Sequence, residues 1–157
     1  MRKQSDQQPE SGPALHLWTY EAALKSVPYL RAVVRSLREH WLHIQSVRRQ
    51  IERLDSRPGR PDRQTLILRA MAARELDQAD IELEETSDEL KELDVHCLDP
   101  ARGLALIPFG KGDDLAWYVF DLFAPRGLEA WLFDRDPLEM RRPLQENADS
   151  MLPTGSD

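Results

Sequence analysis

The chain has little of several features that would point to a class of function. It contains one cysteine, Cys97, so an intrachain disulfide and a cysteine metal cluster are excluded. Residues 1–12 lack the apolar segment of a secretory signal, and no run approaches the ~18 apolar residues of a membrane-spanning helix. The net charge is −7, so the protein as a whole does not attract nucleic acid or anionic membranes. These absences predict a cytoplasmic protein whose partners are neither nucleic acid nor membrane.

The length and composition predict one domain with long, solvated helices. A chain of 157 residues fits one core, and 41% apolar against 31% charged residues is typical of helices with charged outer faces. The polar ends at 1–13 and 145–157 are predicted to be mobile tails. A single domain is therefore expected at 14–144.

A heptad repeat predicts the first long helix. Apolar residues recur at alternating spacings of three and four, which places them on one helix face, a coiled-coil seam. The seam consists of Leu30, Val33, Leu37, His40, Ile44, Val47, Ile51 and Leu54. Val34 and Trp41 widen it. Because His40 is its only polar member, we interpret His40 as a register residue, with Asp77 or Asp80 accepting its proton.

The start of this helix carries a cap and an interruption. Thr19 is predicted to accept a hydrogen bond from an otherwise unpaired amide. Pro28 lacks an amide proton and clashes with the preceding turn, so we expect a short helix at 20–26 followed by a kink or restart. Residues 14–18 are predicted to add a short edge strand.

A second helix follows the Pro- and Gly-rich break at 57–61, with Asp62 as its predicted cap. Its seam repeats at spacings of four and three and includes small residues, which let a facing helix approach closely. The members are Ala72, Leu76, Ala79, Leu83, Thr86, Leu90 and Leu93. The short linker predicts an antiparallel helical hairpin at about 20–94.

Charge is unevenly distributed along this hairpin. The base of the first helix carries Arg31, Arg35 and Arg38, which we expect to pair with the acidic end of the second helix. That end consists of Asp80, Glu82, Glu84, Glu85, Asp88, Glu89, Glu92 and Asp94.

Beyond residue 100 the pattern changes to short apolar runs separated by turns. Strands are predicted at 103–109, 115–123 and 128–133, joined by hairpin loops at 110–114 and 124–127. The middle run is apolar on both faces, so it should be central and covered on both sides, with the hairpin base on one. The predicted fold is α+β: a kinked long antiparallel helical hairpin packed on a small three- or four-stranded antiparallel meander at about 103–134.

Three short motifs carry a family resemblance. Residues 18–28, WTYEAALKSVP, resemble the F-T-x-E-E-A-x-x-L-L-P opening of the bacterial DUF2203 family, and residues 93–108 resemble its D-x-x-R-G-L-x-x-x-P motif. Trp131 and residues 141–144 resemble its closing W-H-x and R-x-P-L. The second motif places Asp99, Arg102, Gly103, Leu104 and Pro108. The family is uncharacterised, so the resemblance implies an architecture and no activity.

Two positions depart from this family pattern. Typical members have Asp where this chain has Leu106, and His after the sheet tryptophan where it has Leu132. If the family holds a polar site on the sheet, this chain has lost part of it. The departures lower the expectation of catalysis.

The other candidate reaction centres have better structural explanations. Glu39, His40 and His43 do not follow the H-E-x-x-H order of metal ligands, so no metal site is assigned. Adjacent strand side chains point to opposite faces, so His96 and Cys97 do not form a nucleophile pair, and Cys97 is expected to be buried. The acidic helix contains no histidine for a carboxylate metal site of the Glu-x-x-His kind. No cofactor is expected.

The hairpin tip is the remaining candidate. It carries Arg48, Arg49, Arg53, Arg57, Arg60, Arg63, Arg69 and Arg74. Guanidinium groups suit phosphate or carboxylate, so Arg53, Arg57, Arg60 and Arg63 form a possible anion site. A merely solvated helix end is favoured, because no aromatic residue is interleaved for base stacking.

Three functions are compatible with these patterns. The leading hypothesis is a non-enzymatic protein-interaction or structural module, with a homodimer formed through the hairpin faces. The alternative is binding of nucleic acid or a phosphorylated partner at the arginine tip. An enzyme acting in a pocket between sheet and hairpin ranks third.

Overall fold

The computed structural model describes residues 15–144, and the predicted tails at 1–13 and 145–157 lie outside them. Two long helices, α1 and α2, precede five antiparallel strands whose order in the sheet follows the chain. The predicted α+β hairpin fold is confirmed, with five strands rather than three or four. The elements are α1 Tyr20–Asp55, α2 Arg63–Glu92, β1 His96–Asp99, β2 Leu104–Lys111, β3 Asp114–Asp121, β4 Leu128–Phe133, a 3-10 turn Leu138–Met140 and β5 Arg142–Pro143.

The helix α1 is continuous, so the predicted restart after a short helix at 20–26 is wrong. Thr19 caps it as predicted, accepting from the Ala22 amide at 3.0 Å. Pro28 lies inside the helix on an exposed face. The carbonyl that loses its helical partner belongs to Leu24, a residue that is also exposed. Burial of Leu30 in the next turn holds the helix through the break.

The predicted edge strand at 14–18 is wrong for residues 15–18, and Ala14 lies outside the described part of the chain. This segment is tied down by three hydrogen bonds instead of a ladder. The Trp18 amide donates to the Pro108 carbonyl at 2.8 Å, and its indole Nε1 donates to the Leu93 carbonyl at 3.1 Å. The His16 amide donates to Asp94 Oδ2 at 2.8 Å. The indole thus satisfies a carbonyl at the end of α2.

The two helices pack along the predicted seams. The buried members are Leu30, Val33, Leu37, Ile44, Val47 and Leu54 on α1, and Ala72, Ala79 and Leu90 on α2. Asp62 caps α2 as predicted, accepting from the Thr65 amide at 2.8 Å. Accepting this bond lowers the pKa of the Asp62 carboxyl. Across the hairpin, Arg69 forms an ion pair with Asp55, and His43 Nε2 lies 2.9 Å from Glu75 Oε2.

Only the base of the hairpin covers the sheet. The main core joins helix residues to the inner face of the strands, and it includes Leu30, Val33, Val34, Leu37 and Leu90 with Ala105, Ile107, Phe109, Ala116, Tyr118 and Phe120. Val34 is fully buried in this core. It widens the seam of α1 because it faces the sheet. Seam residues from Ile44 outward lie outside this core, so the outer half of the hairpin projects beyond the sheet.

Candidate functional site

The outer face of the sheet carries an open groove of about 660 Å³. The predicted central position of the strand at 115–123 is confirmed, because β3 lies in the middle of the five strands. Its outer side is covered only in part. Val119 is buried between Leu104 and Leu132, whereas Trp117 remains half-exposed. The groove therefore crosses the strands over an apolar floor.

The groove is apolar along its floor and charged along its two banks. The floor and apolar walls are formed by Leu15, Val95, Leu98, Leu106, Trp117, Leu132 and Leu138. Asp134 and Asp136 lie on the bank next to β4, and Lys91, Asp94 and His96 lie on the bank next to β1. This placement separates an apolar floor from polar groups at the rim.

The carboxylates of the β4 bank differ in how far they are neutralised. Asp136 Oδ2 accepts from the Arg142 guanidinium at 2.9 Å and from the Phe133 amide at 3.1 Å. Asp134 Oδ1 accepts from the indole Nε1 of Trp117 at 2.8 Å. No hydrogen bond within residues 15–144 occupies the other oxygen of Asp134, and this carboxylate is exposed. Asp134 therefore has no cationic partner among residues 15–144, unlike Asp136.

Both departures from the family pattern fall in this groove. Leu106 and Leu132 line it from β2 and β4, on either side of β3. Both positions are leucine here, so neither contributes a polar group to the groove. Sequence reasoning noted these positions but missed Trp117 and Asp134, because their contact joins residues of neighbouring strands.

The arginine tip has one internal hydrogen bond among its candidate residues. Arg57 donates to the Thr65 hydroxyl at 3.0 Å, which holds its side chain against the start of α2. Arg53, Arg60 and Arg63 are exposed, with no hydrogen bond or ion pair to any residue in 15–144. The structure therefore places Arg57 against the start of α2 and leaves the other three guanidinium groups exposed at the hairpin tip.

The histidines on α1 take separate partners. His40 is half-buried, and its Nδ1 lies 3.8 Å from Glu82 Oε1, so the neighbouring carboxylate is not Asp77 or Asp80. His43 Nε2 lies 2.9 Å from Glu75 Oε2 at the surface. Within the described residues no group of three or more His, Cys, Asp or Glu is placed to hold a metal ion. The interpretation of His40 as a polar seam residue stays a prediction.

Cys97 lies in a half-buried position on β1. Burial raises the pKa of its thiol from 9.0 to about 11, and the nearby charge of Asp99 acts in the same direction. At neutral pH the thiol is therefore protonated and a poor nucleophile.

The charged ends of the hairpin are not paired as the sequence suggested. Arg31 donates to the carbonyls of Leu122 and Pro125, and Arg38 donates to the carbonyl of Ala101 and lies over the Phe123 ring. The loops of the sheet compete for these guanidinium groups. Among residues 15–144, Lys91 with Asp88 is the only ion pair that a Lys or Arg makes with these carboxylates, and Glu82 lies 3.8 Å from His40. Most carboxylates at the end of α2 thus stay exposed, whereas Glu82 and Asp94 are half-buried.

The comparison with known proteins agrees with the motifs. Residues 16–119 match the model of a family described as "Uncharacterized conserved protein (DUF2203)". The match covers well over half of the chain, and the chain belongs to this family. No curated protein and no solved structure matches it. The structure explains parts of the shared motifs: Trp18 ties down the end of α2, and Gly103 packs on Leu122. No helix in the described region is long and apolar enough to span a membrane.

Proposed function

We propose that this protein is an interaction module that self-associates through the outer face of α2. The observation that supports this proposal is the division of charge along one exposed strip of the helix. The strip runs beside the seam, roughly 110° around the helix, and recurs at spacings of three and four. It consists of Ile67, Met71, Arg74, Gln78, Ile81, Glu85, Asp88 and Glu92.

The strip combines apolar side chains with self-complementary ends. Ile67, Met71 and Ile81 are 43, 56 and 50% exposed, although large apolar residues are normally covered. Arginines surround the end of the strip near the tip, and carboxylates surround its end near the sheet. Two copies placed antiparallel would therefore join each basic end to an acidic end.

A two-fold contact centred near Arg74 would satisfy both requirements, at the cost of placing the two copies' Arg74 side chains opposite each other. It brings Ile67 opposite Ile81 of the second copy, and Arg63 opposite Glu85. Arg60 at the tip then approaches Asp88. The same pairs occur twice because the contact is two-fold. The projecting outer halves of two hairpins would form a four-helix arrangement, in which the exposed apolar residues of α2 are buried.

Reversing the charge at one end of the strip, in every copy of the protein, tests this arrangement. Replacing Arg60 and Arg63 by Glu is expected to weaken the dimer by about 2–4 kcal/mol, roughly 30- to 1,000-fold in Kd, because four surface pairs change from attraction to repulsion. Replacing Glu85 and Asp88 by Lys should weaken it equally. Combining all four substitutions should restore association, as measured by sedimentation equilibrium at low salt.

The matched control changes the net charge by the same amount at positions outside the hairpin. Replacing Arg102 and Arg141 by Glu changes the net charge by the same amount at exposed positions outside α2. This variant should dimerise like the wild type. A wild-type protein that is monomeric at tens of micromolar, or a four-residue variant that stays dissociated, would refute the proposed contact.

The alternative function, anion binding at the arginine tip, is supported by the exposure of Arg53, Arg60 and Arg63. It predicts binding that weakens log-linearly with salt, because phosphate contacts release counterions. We expect no specific retention on nucleic acid near physiological ionic strength, since the net charge is −7. Salt-sensitive retention that is lost when Arg57, Arg60 and Arg63 are replaced by Gln would establish the alternative instead.

A further inference from the structure

We propose that the groove on the outer face of the sheet binds an amphipathic amine, with an apolar chain on the groove floor and an ammonium group at Asp134. This inference is independent of the proposed self-association, because the groove lies on the sheet and the strip lies on α2. It follows from the shape of the groove, the composition of its floor and the charge on one bank.

The volume and floor fit a small apolar body. A groove of about 660 Å³ falls within the range of pockets that hold small molecules. Leu106, Trp117 and Leu138 are half-exposed on the floor and walls, so they have surface left to bury. A linear hydrocarbon chain lying across the strands would remove this surface from water.

The bank next to β4 selects the charge of the ligand. The Asp134 carboxylate has one oxygen held by the Trp117 indole, and no hydrogen bond within residues 15–144 occupies the other. The carboxylate lies at the N–H edge of the indole, and the π face of the same half-exposed ring, which lines the groove, attracts a cation. Asp136 is neutralised by Arg142, so it does not compete for the ligand. An ammonium group can thus contact a carboxylate and an aromatic face together.

The opposite bank does not offer an equally good anion site. Lys91 has Asp94 beside it on that bank, and its Nζ lies 3.9 Å from Asp88 Oδ1. His96 is exposed on the same bank. A carboxylate ligand would therefore meet negative charge on both banks. An amine is favoured over a carboxylic acid of the same chain length.

Calorimetric titration of the wild-type protein with linear alkylamines, at concentrations below micelle formation, tests this inference. We expect one site per chain and an affinity that rises about fourfold with each added methylene until the groove is filled. The alcohol of the same length should bind at least tenfold more weakly, and the carboxylate more weakly still. Amine and carboxylate binding with equal affinity, or no saturable binding, would overturn the inference.

Two matched variants separate charge from shape. Asp134→Asn removes the charge while its amide oxygen can still accept from Trp117, so amine affinity should fall about tenfold and alcohol affinity should not change. Asp113→Asn removes the same charge from the exposed turn between β2 and β3 and should leave all affinities unchanged. Leu138→Ala should weaken amine and alcohol alike. An equal loss in Asp134→Asn and Asp113→Asn would rule out Asp134 as the cation site.

Discussion

Replacing Gly103 by alanine is expected to lower the free energy of unfolding by about 3 kcal/mol or more. Gly103 has a φ of +69°, where an L side chain costs about 1–2 kcal/mol. An added Cβ would also lie 2.6 Å from Cβ of Leu122, which is buried in the main core. Because neither atom is the end of a flexible chain, the backbone must shift, and overpacking of this kind costs about 1–3 kcal/mol more.

A second glycine supplies the control for this prediction. Gly112 has a φ of +63°, but no atom lies within 4 Å of the position its Cβ would take. Gly112→Ala should therefore cost only the backbone term, about 1–2 kcal/mol. Urea unfolding of both variants measures the difference. Equal losses in the two would show that the contact with Leu122 relaxes freely, contrary to the structure.

Raising the pH from 8 to 10.5 is expected to lower the free energy of unfolding by about 2–3 kcal/mol through the half-buried Cys97 and the buried Tyr118. Burial raises the pKa of the Cys97 thiol to about 11 and that of the Tyr118 phenol to about 12, with Tyr20 adding to the latter. A raised folded-state pKa stabilises the protein fully below the unfolded pKa, and this stability is lost as the pH rises towards the folded value. The losses run from pH 9 to 11 for Cys97 and from pH 10 to 12 for Tyr118.

Substitution of each group separates these contributions. Each group costs about 1.4 kcal/mol per pH unit within its window. Cys97→Ala should therefore reduce the loss between pH 8 and 10.5 by about 2 kcal/mol. Tyr118→Phe keeps the ring that stacks on Phe109 and should reduce it by less, about 1 kcal/mol. Urea midpoints measured at both pH values test this, and an unchanged pH dependence in Cys97→Ala would contradict the assigned burial.

Local patterns in the sequence predicted much of the architecture. The heptad repeats placed the seams of α1 and α2, and Thr19 and Asp62 were recognised as caps because capping depends on neighbouring residues. The restart at Pro28 was predicted wrongly because a propensity rule ignores exposure. The strands β1 and β5 were missed because they are four and two residues long, too short for an alternating pattern.

The candidate site was harder to predict from the sequence than the architecture was. Leu106 and Leu132 stood out as departures from a family pattern, but nothing in the sequence joined them to one groove. The contact of Trp117 with Asp134 depends on the register of β3 and β4, which sequence spacing does not determine. Likewise, Arg31 and Arg38 were expected to pair with the acidic end of α2, and the sheet loops compete for them instead.

The sequence by itself determined the hairpin, the alternation of strands and turns, and the division of charge along α2, because each follows from periodicity or neighbouring residues. The tertiary structure alone decided which faces remain open. It packs Val34 against the sheet, leaves Ile67 and Met71 exposed on the projecting helix, and leaves the Trp117 side of the sheet half-covered. Exposure depends on how distant segments pack, and that information lies in contacts between elements rather than in any one segment.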